Sequence, residues 1–88
     1  MGKSSIDYIF HNKDTQEITV NIEPWAEEFS VPSGSTLSIA ISYGQIGRLE
    51  TEMGSGTFTI WLWSGCSAEV ALDGEDRTPR SLSIQGPA

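Results

Sequence analysis

Apolar and polar residues alternate along most of this chain with the period of a β-strand. The alternation is cleanest over 17–23, where Ile18, Val20 and Ile22 are separated by polar residues. Because successive side chains of a strand point to opposite faces, such a run buries one face and exposes the other. Similar runs occur at 5–10, 36–43, 48–53, 57–63 and 68–72. The sequence therefore predicts a series of short strands rather than helices.

Turn-forming residues separate these runs. The polar stretch 11–15 joins the first two runs and predicts a β-hairpin between them. The stretch 32–35 combines Pro with Gly, and Asp73-Gly74 is typical of a two-residue hairpin turn. The segment 24–29 is interpreted as a helical turn or a bulge followed by extended chain.

Six or seven short strands with frequent turns predict an all-β fold, a small antiparallel sandwich or open barrel. All strand pairs can be antiparallel, because no connection is long enough for a crossover helix. Residues 1–76 are expected to form a single β domain, with 77–88 as a C-terminal tail or an edge strand through Leu82 and Ile84. The expected buried core comprises Ile18, Val20, Ile22, Leu37, Ile39, Ile41, Phe58, Ile60, Leu62 and Val70.

The net charge limits the classes of partner that the chain is expected to bind. Five Lys and Arg residues oppose twelve Asp and Glu residues, so the formal net charge is -7. Phosphate backbones and anionic membrane surfaces are bound by clustered cations, and the few cations of this chain are scattered. We therefore expect binding neither to nucleic acid nor to a membrane. The acidity serves solubility or suits a basic protein partner.

The sequence contains few residues that could form a catalytic or metal-binding site. The chain has one cysteine, Cys66, and one histidine, His11, so neither an intramolecular disulfide nor a Cys/His metal site is expected. No glycine-rich phosphate loop precedes a helix, and we expect no cofactor. No apolar signal or membrane-spanning run is present, which favours a cytoplasmic protein.

The tryptophans form the candidate site. In the run 57–63, Trp61 and Trp63 have the same parity, opposite to Phe58, Ile60 and Leu62, which predicts that both indoles share one sheet face. That face is either covered by the segment around Trp25 or exposed as a binding surface. We expect Trp25 to contact at least one of Trp61 and Trp63 on this face. The candidate partner- or ligand-binding residues are Trp25, Trp61, Trp63, Glu23, Glu27 and Glu28.

Three functions fit this cluster. The first is a non-enzymatic binding or protein-interaction module, since exposed tryptophans are frequent binding hot spots. The alternative is a carbohydrate- or small-ligand-binding β-sandwich that stacks sugars on the same indoles. A small hydrolase with paired carboxylates is the least favoured, because an 88-residue sandwich has little room for a deep cleft. We expect a monomer or a weak homodimer.

Several short motifs also carry a resemblance. They are Glu23-Pro24-Trp25-Ala26-Glu27-Glu28-Phe29, Val31-Pro32, Gly34-Ser35 and Trp61-x-Trp63-x-Gly65-Cys66. With them the chain resembles small uncharacterised bacterial β-domain proteins over about half of its length. The resemblance implies a free-standing bacterial domain and attaches no activity, ligand or partner to it.

Overall fold

The chain forms eight strands, rather than the expected six or seven, in the computed structural model, which describes residues 4–83. The six alternating runs each form one strand, and the other two strands lie at Glu27–Val31 and Glu75–Asp76. A short 3-10 helix, η1, follows them at Arg80–Ser83. The strands are β1 (Ser4–His11), β2 (Ile18–Glu23), β3 (Glu27–Val31), β4 (Thr36–Tyr43), β5 (Glu50–Met53), β6 (Thr57–Trp61), β7 (Ser67–Leu72) and β8 (Glu75–Asp76).

The strands form two four-stranded sheets packed face to face. Sheet A has the order β1-β4-β7-β8, and sheet B has the order β3-β2-β6-β5. The all-β sandwich predicted from the alternation is therefore confirmed. Among the described pairs, five are antiparallel and one, β2 with β6, is parallel, contrary to the expectation that all would be antiparallel. The parallel pair needs no crossover helix, because the chain crosses through sheet A, as β4, on its way from β2 to β6.

The predicted hairpin between the first two strands is wrong. Strand β1 pairs with β4, whereas β2 pairs with β3 and β6 in the other sheet. The polar stretch 11–15 is a corner that carries the chain from one sheet to the other. Asn12 organises this corner: it is 1% exposed, and its Nδ2 donates hydrogen bonds to the carbonyl oxygens of Gln16 and Val31, both at 2.9 Å.

The core between the sheets follows the predicted alternation. Nine of the ten residues expected inside are buried, and Phe58 is partly buried against them. Leu82, expected in an edge strand or a tail, lies instead in η1 and is fully buried. Ile84, the other residue of that expected strand, lies outside the described residues. The Ser81 hydroxyl donates to the Glu27 carboxylate and so ties η1 to sheet B.

The Asp73-Gly74 turn connects β7 to β8 as predicted. Both residues have positive φ, 51° and 83°, and Leu72 pairs with Glu75 across the turn. The Asp73 carboxylate also accepts a 2.9 Å hydrogen bond from the backbone N–H of Thr36. This bond, assisted by the Ser35 side chain, lowers the pKa of Asp73 from its ordinary value.

Asp73→Asn should make the thermal stability of the domain fall less steeply as the pH is lowered. The asparagine keeps an acceptor oxygen and tolerates positive φ, but it does not titrate. A carboxylate with a lowered folded pKa stabilises the protein above its unfolded pKa of about 3.9, and that stabilisation is lost as the pH falls through the folded value. Thermal melts between pH 6 and about pH 2 should show a shallower decline for the variant. Parallel curves for wild type and variant would contradict the assignment.

Candidate functional site

One face of sheet B combines an exposed indole with carboxylates. Strand β6 lies between β2 and β5, and residues directly opposite each other in register share a face. Glu23 lies opposite Trp61 on one side and Glu50 lies opposite it on the other. We call this outward surface the Trp61 face, comprising Glu23, Trp61 and Glu50 in one row and Glu28, Asn21, Thr59 and Glu52 in the next.

Trp61 is the exposed member of this face. Its relative exposure is 37%, whereas inward-facing Ile60 and Leu62 on either side of it are buried. A shallow depression of about 490 Å³ lies beside the indole, lined by Arg48, Glu50, Thr51, Glu52, Trp61 and Leu62. The indole is thus open to solvent at the side of a small concavity.

The Trp61 face has a negative charge. Four carboxylates, from Glu23, Glu28, Glu50 and Glu52, lie on it. Arg48 forms an ion pair with Glu50 at 3.4 Å, and both side chains are strongly exposed, at 83% and 58%. An ion pair this exposed contributes little to stability. The remaining carboxylates leave the surface attractive to cations.

Trp63 does not share this face. Strand β6 ends at Trp61, so the alternation of the run stops before Trp63. Its ring packs edge-on against Tyr43 with centroids 5.3 Å apart, and its Nε1 donates a 2.8 Å hydrogen bond to the Gln45 carbonyl. Trp63 also packs against the buried core. Its position is explained by folding alone.

Trp25 and Glu27 also lie away from the Trp61 face. Trp25 sits in the turn between β2 and β3, is partly buried and packs against the core. The expected contact between Trp25 and another tryptophan is not found among the described ring contacts. Glu27 lies opposite Ile22, whose side chain is in the core, so it faces inward at the end of β3.

The structure therefore brings together half of the predicted site residues and adds others. Trp61, Glu23 and Glu28 share one face, whereas Trp25, Trp63 and Glu27 do not. Glu50 and Glu52 were not predicted as site residues. Their alternation with apolar neighbours was visible in the sequence, but only the pairing of β5 with β6 places them beside Trp61.

A second depression lies on the outer face of sheet A. It has a volume of about 510 Å³ and includes Asp7, Ser38, Ala40, Glu69, Ala71 and Asp76 in its lining. Its floor consists of small side chains, and no aromatic ring lines it. It therefore lacks the large aromatic contact that the indole of Trp61 provides.

Cys66 and His11, the one cysteine and the one histidine of the chain, lie in different surroundings. Cys66 is buried, and burial raises the pKa of its thiol, which disfavours the nucleophilic thiolate. The Nδ1 of His11 is hydrogen-bonded to the Thr36 hydroxyl at 2.9 Å. Within residues 4–83, no group of three or more His, Cys, Asp and Glu side chains is arranged to hold a metal ion.

No helix in the described part of the chain is long and apolar enough to cross a lipid bilayer. Comparison with known proteins finds no match: no family model fits the sequence, no curated protein is similar to it, and no solved structure matches it at a significant level.

Proposed function

We propose that this domain is a non-enzymatic interaction module whose Trp61 face binds a basic segment of another protein. The observation that carries the proposal is the position of Trp61. An exposed indole lies between Glu23 and Glu50 on a face that carries two further carboxylates. Tryptophan and complementary charge are the features that distinguish binding surfaces from ordinary polar surfaces.

The chemistry favours a lysine or arginine side chain over the indole. A cation held over a tryptophan ring is attracted by the π-electrons, and the attraction is worth about 0.5–2 kcal/mol. Neighbouring strands are about 4.8 Å apart, so Glu23 and Glu50 flank the bound cation, which competes with exposed Arg48 for the Glu50 carboxylate. Together the ring and the two carboxylates form a three-sided receptor for one basic side chain.

The receptor is held in place before binding. Strand β6 is an inner strand of sheet B, paired with β2 and β5, and the neighbouring Ile60 is fully buried. The backbone N–H of Leu62 donates a 2.9 Å hydrogen bond to the Glu23 carbonyl and extends the pairing past Trp61. A rigid binding surface loses less conformational entropy when a partner docks.

The carbohydrate alternative has weaker support. Sugar binding by a planar platform would use two indoles on one face, but Trp61 and Trp63 do not share a face. Within the same proposal, the domain is a cytoplasmic monomer or weak homodimer that binds protein and not nucleic acid. The net charge of -7 supports the last point, because a phosphate backbone would be repelled.

Trp61→Ala should weaken binding without unfolding the domain. We expect an arginine-rich peptide to bind with a dissociation constant on the order of 100 µM, and the variant to lose about tenfold or more of that affinity. Glu50→Gln should lose less, and raising the salt concentration should weaken binding further. Isothermal titration calorimetry measures the peptide affinity of each variant and its dependence on salt. Urea unfolding checks that Trp61→Ala changes the free energy of unfolding by about 1 kcal/mol or less.

Thr19→Ala is the matched control, because Thr19 lies on the same sheet face, next to Thr57 and away from Trp61. It should bind the peptide like wild type. Unchanged peptide affinity in Trp61→Ala would defeat the proposal. Binding to a glycan panel, lost in Trp61→Ala, would establish the carbohydrate alternative instead.

A further inference from the structure

Within the described part of the chain, the β1 edge of sheet A is long and has no paired neighbour. Strand β1 pairs with β4 over eight consecutive residues in an unbroken register. Within residues 4–83, no strand pairs with its other edge. The backbone N–H and C=O groups along that edge are available to pair with another strand.

The other edges have features that discourage strand addition, and β1 has few. Strand β8 has two residues, β5 has four and carries Glu50 and Glu52, and β3 carries adjacent Glu27 and Glu28. Strand β1 contains no proline and no lysine, its pairing shows no bulge, and its one acidic residue is Asp7. Short length, charge, proline and bulges are the usual protection against edge pairing.

The inward side chains of β1 are only partly covered. Ile6, Tyr8 and Phe10 lie opposite core residues of β4 and so face inward, yet Ile6 is 40% exposed. Tyr8 and Phe10 stack on Phe58 of sheet B, with ring centroids 6.4 and 4.8 Å apart.

Met53 is an exposed apolar side chain next to Phe58, the ring on which Tyr8 and Phe10 stack. It lies opposite Phe58 on β5 and is 64% exposed. Exposed Ile6 on β1 and exposed Met53 beside Phe58 are therefore taken together as an apolar rim, with one side chain from each sheet.

We propose that the β1 edge accepts an extended segment of another protein as an added strand, in which apolar residues alternate with lysine or arginine. Apolar side chains of that strand point inward and cover Ile6 and Met53, while its cations point outward beside Asp7. The charge of the domain selects this partner: a second copy also carries -7 and is repelled, whereas a basic segment is attracted. The site is independent of the Trp61 face.

The test uses a short peptide of alternating lysine and valine, added to isotope-labelled Trp61→Ala protein so that binding to the Trp61 face is weakened. Amide chemical shifts in β1 should move, with a dissociation constant on the order of 100 µM. Ile6→Lys and Met53→Lys should each weaken binding about tenfold, because each places a cation on the apolar rim. Ser30→Lys, which adds the same charge to edge strand β3, is the matched control and should bind like its parent.

A peptide of the same composition with its valines and lysines in separate blocks should bind at least about tenfold more weakly, because it cannot present one apolar face. Equal binding of both peptides, or shifts confined to residues outside β1, would overturn the proposal. Concentration-dependent shifts in β1 without peptide would also overturn it, and would make a second copy the occupant. Loss of arginine-peptide binding in Trp61→Ala is a separate result and does not bear on this edge.

Discussion

Replacing Trp63 with alanine is expected to lower the free energy of unfolding by about 3 kcal/mol. The indole packs on Tyr43 and on the core, and its Nε1 donates a hydrogen bond to the Gln45 carbonyl. Alanine removes the packing and leaves that carbonyl without its donor. The loss would be a large share of the stability of a domain this small.

Trp61→Ala is the matched control, because it makes the same chemical change two residues away on the exposed face. It should cost about 1 kcal/mol or less, since exposed positions contribute little to folding. Urea unfolding followed by far-ultraviolet circular dichroism measures both variants without relying on tryptophan emission. Equal losses in the two variants would show that the roles assigned to the two indoles are wrong.

Gly47 offers a second way to test the same contact. A Cβ added at Gly47 would overlap the indole ring of Trp63, so Gly47→Ala should displace the ring and cost about 1–3 kcal/mol. In the Trp63→Ala background the ring is gone, and the same substitution should be nearly neutral. Additive losses in the double variant would mean that glycine is required at this position for a reason other than the indole.

The strands and the core could be predicted from the sequence because alternation is a local property. Ile18, Val20 and Ile22 occupy one face whatever strand they pair with, and they are buried as predicted. The Asp73-Gly74 turn was also predictable, because both of its positions need positive φ. These features depend on a few neighbouring residues.

Strand pairing was not predictable in the same way. A polar loop between two alternating runs is compatible with a hairpin, and equally with a corner that changes sheets. The buried Asn12 side chain stabilises the corner conformation of this loop. Burial of a single asparagine cannot be deduced from composition. The parallel pair of β2 and β6 joins residues that are 38 positions apart, as in Asn21 and Thr59. Such a pairing reflects the whole topology.

The candidate site was partly predictable for the same reason. The alternation correctly predicted that Trp61 lies on the sheet face away from the core. It cannot show that β6 ends at Trp61, so that Trp63 no longer follows the alternation. Glu23 and Glu50 are far apart in the sequence and meet only because β2 and β5 flank β6. The strand register therefore determines which residues form the Trp61 face.

Asn12→Ala is expected to destabilise the domain by about 2–4 kcal/mol, because Asn12 holds the corner between the sheets. Its Nδ2 donates to two carbonyl oxygens, of Gln16 and Val31, and its Oδ1 accepts from the backbone N–H of Asp14 at 2.9 Å. Alanine cannot replace these bonds, and Val31 is fully buried, so water has little access to its carbonyl.

One further variant separates the donated from the accepted bonds, and another serves as a control. Asn12→Asp keeps the acceptor for Asp14 but replaces the donating amide by a carboxylate, so it should cost at least as much as alanine. Asn21→Ala makes the same change on the outer face of sheet B, where the side chain donates only a long 3.4 Å bond to the Thr59 hydroxyl. It should cost about 0.5–1 kcal/mol. Equal unfolding midpoints in urea for Asn12→Ala and Asn21→Ala would show that backbone bonds hold the corner, such as that from Asn12 N–H to the Ser35 carbonyl.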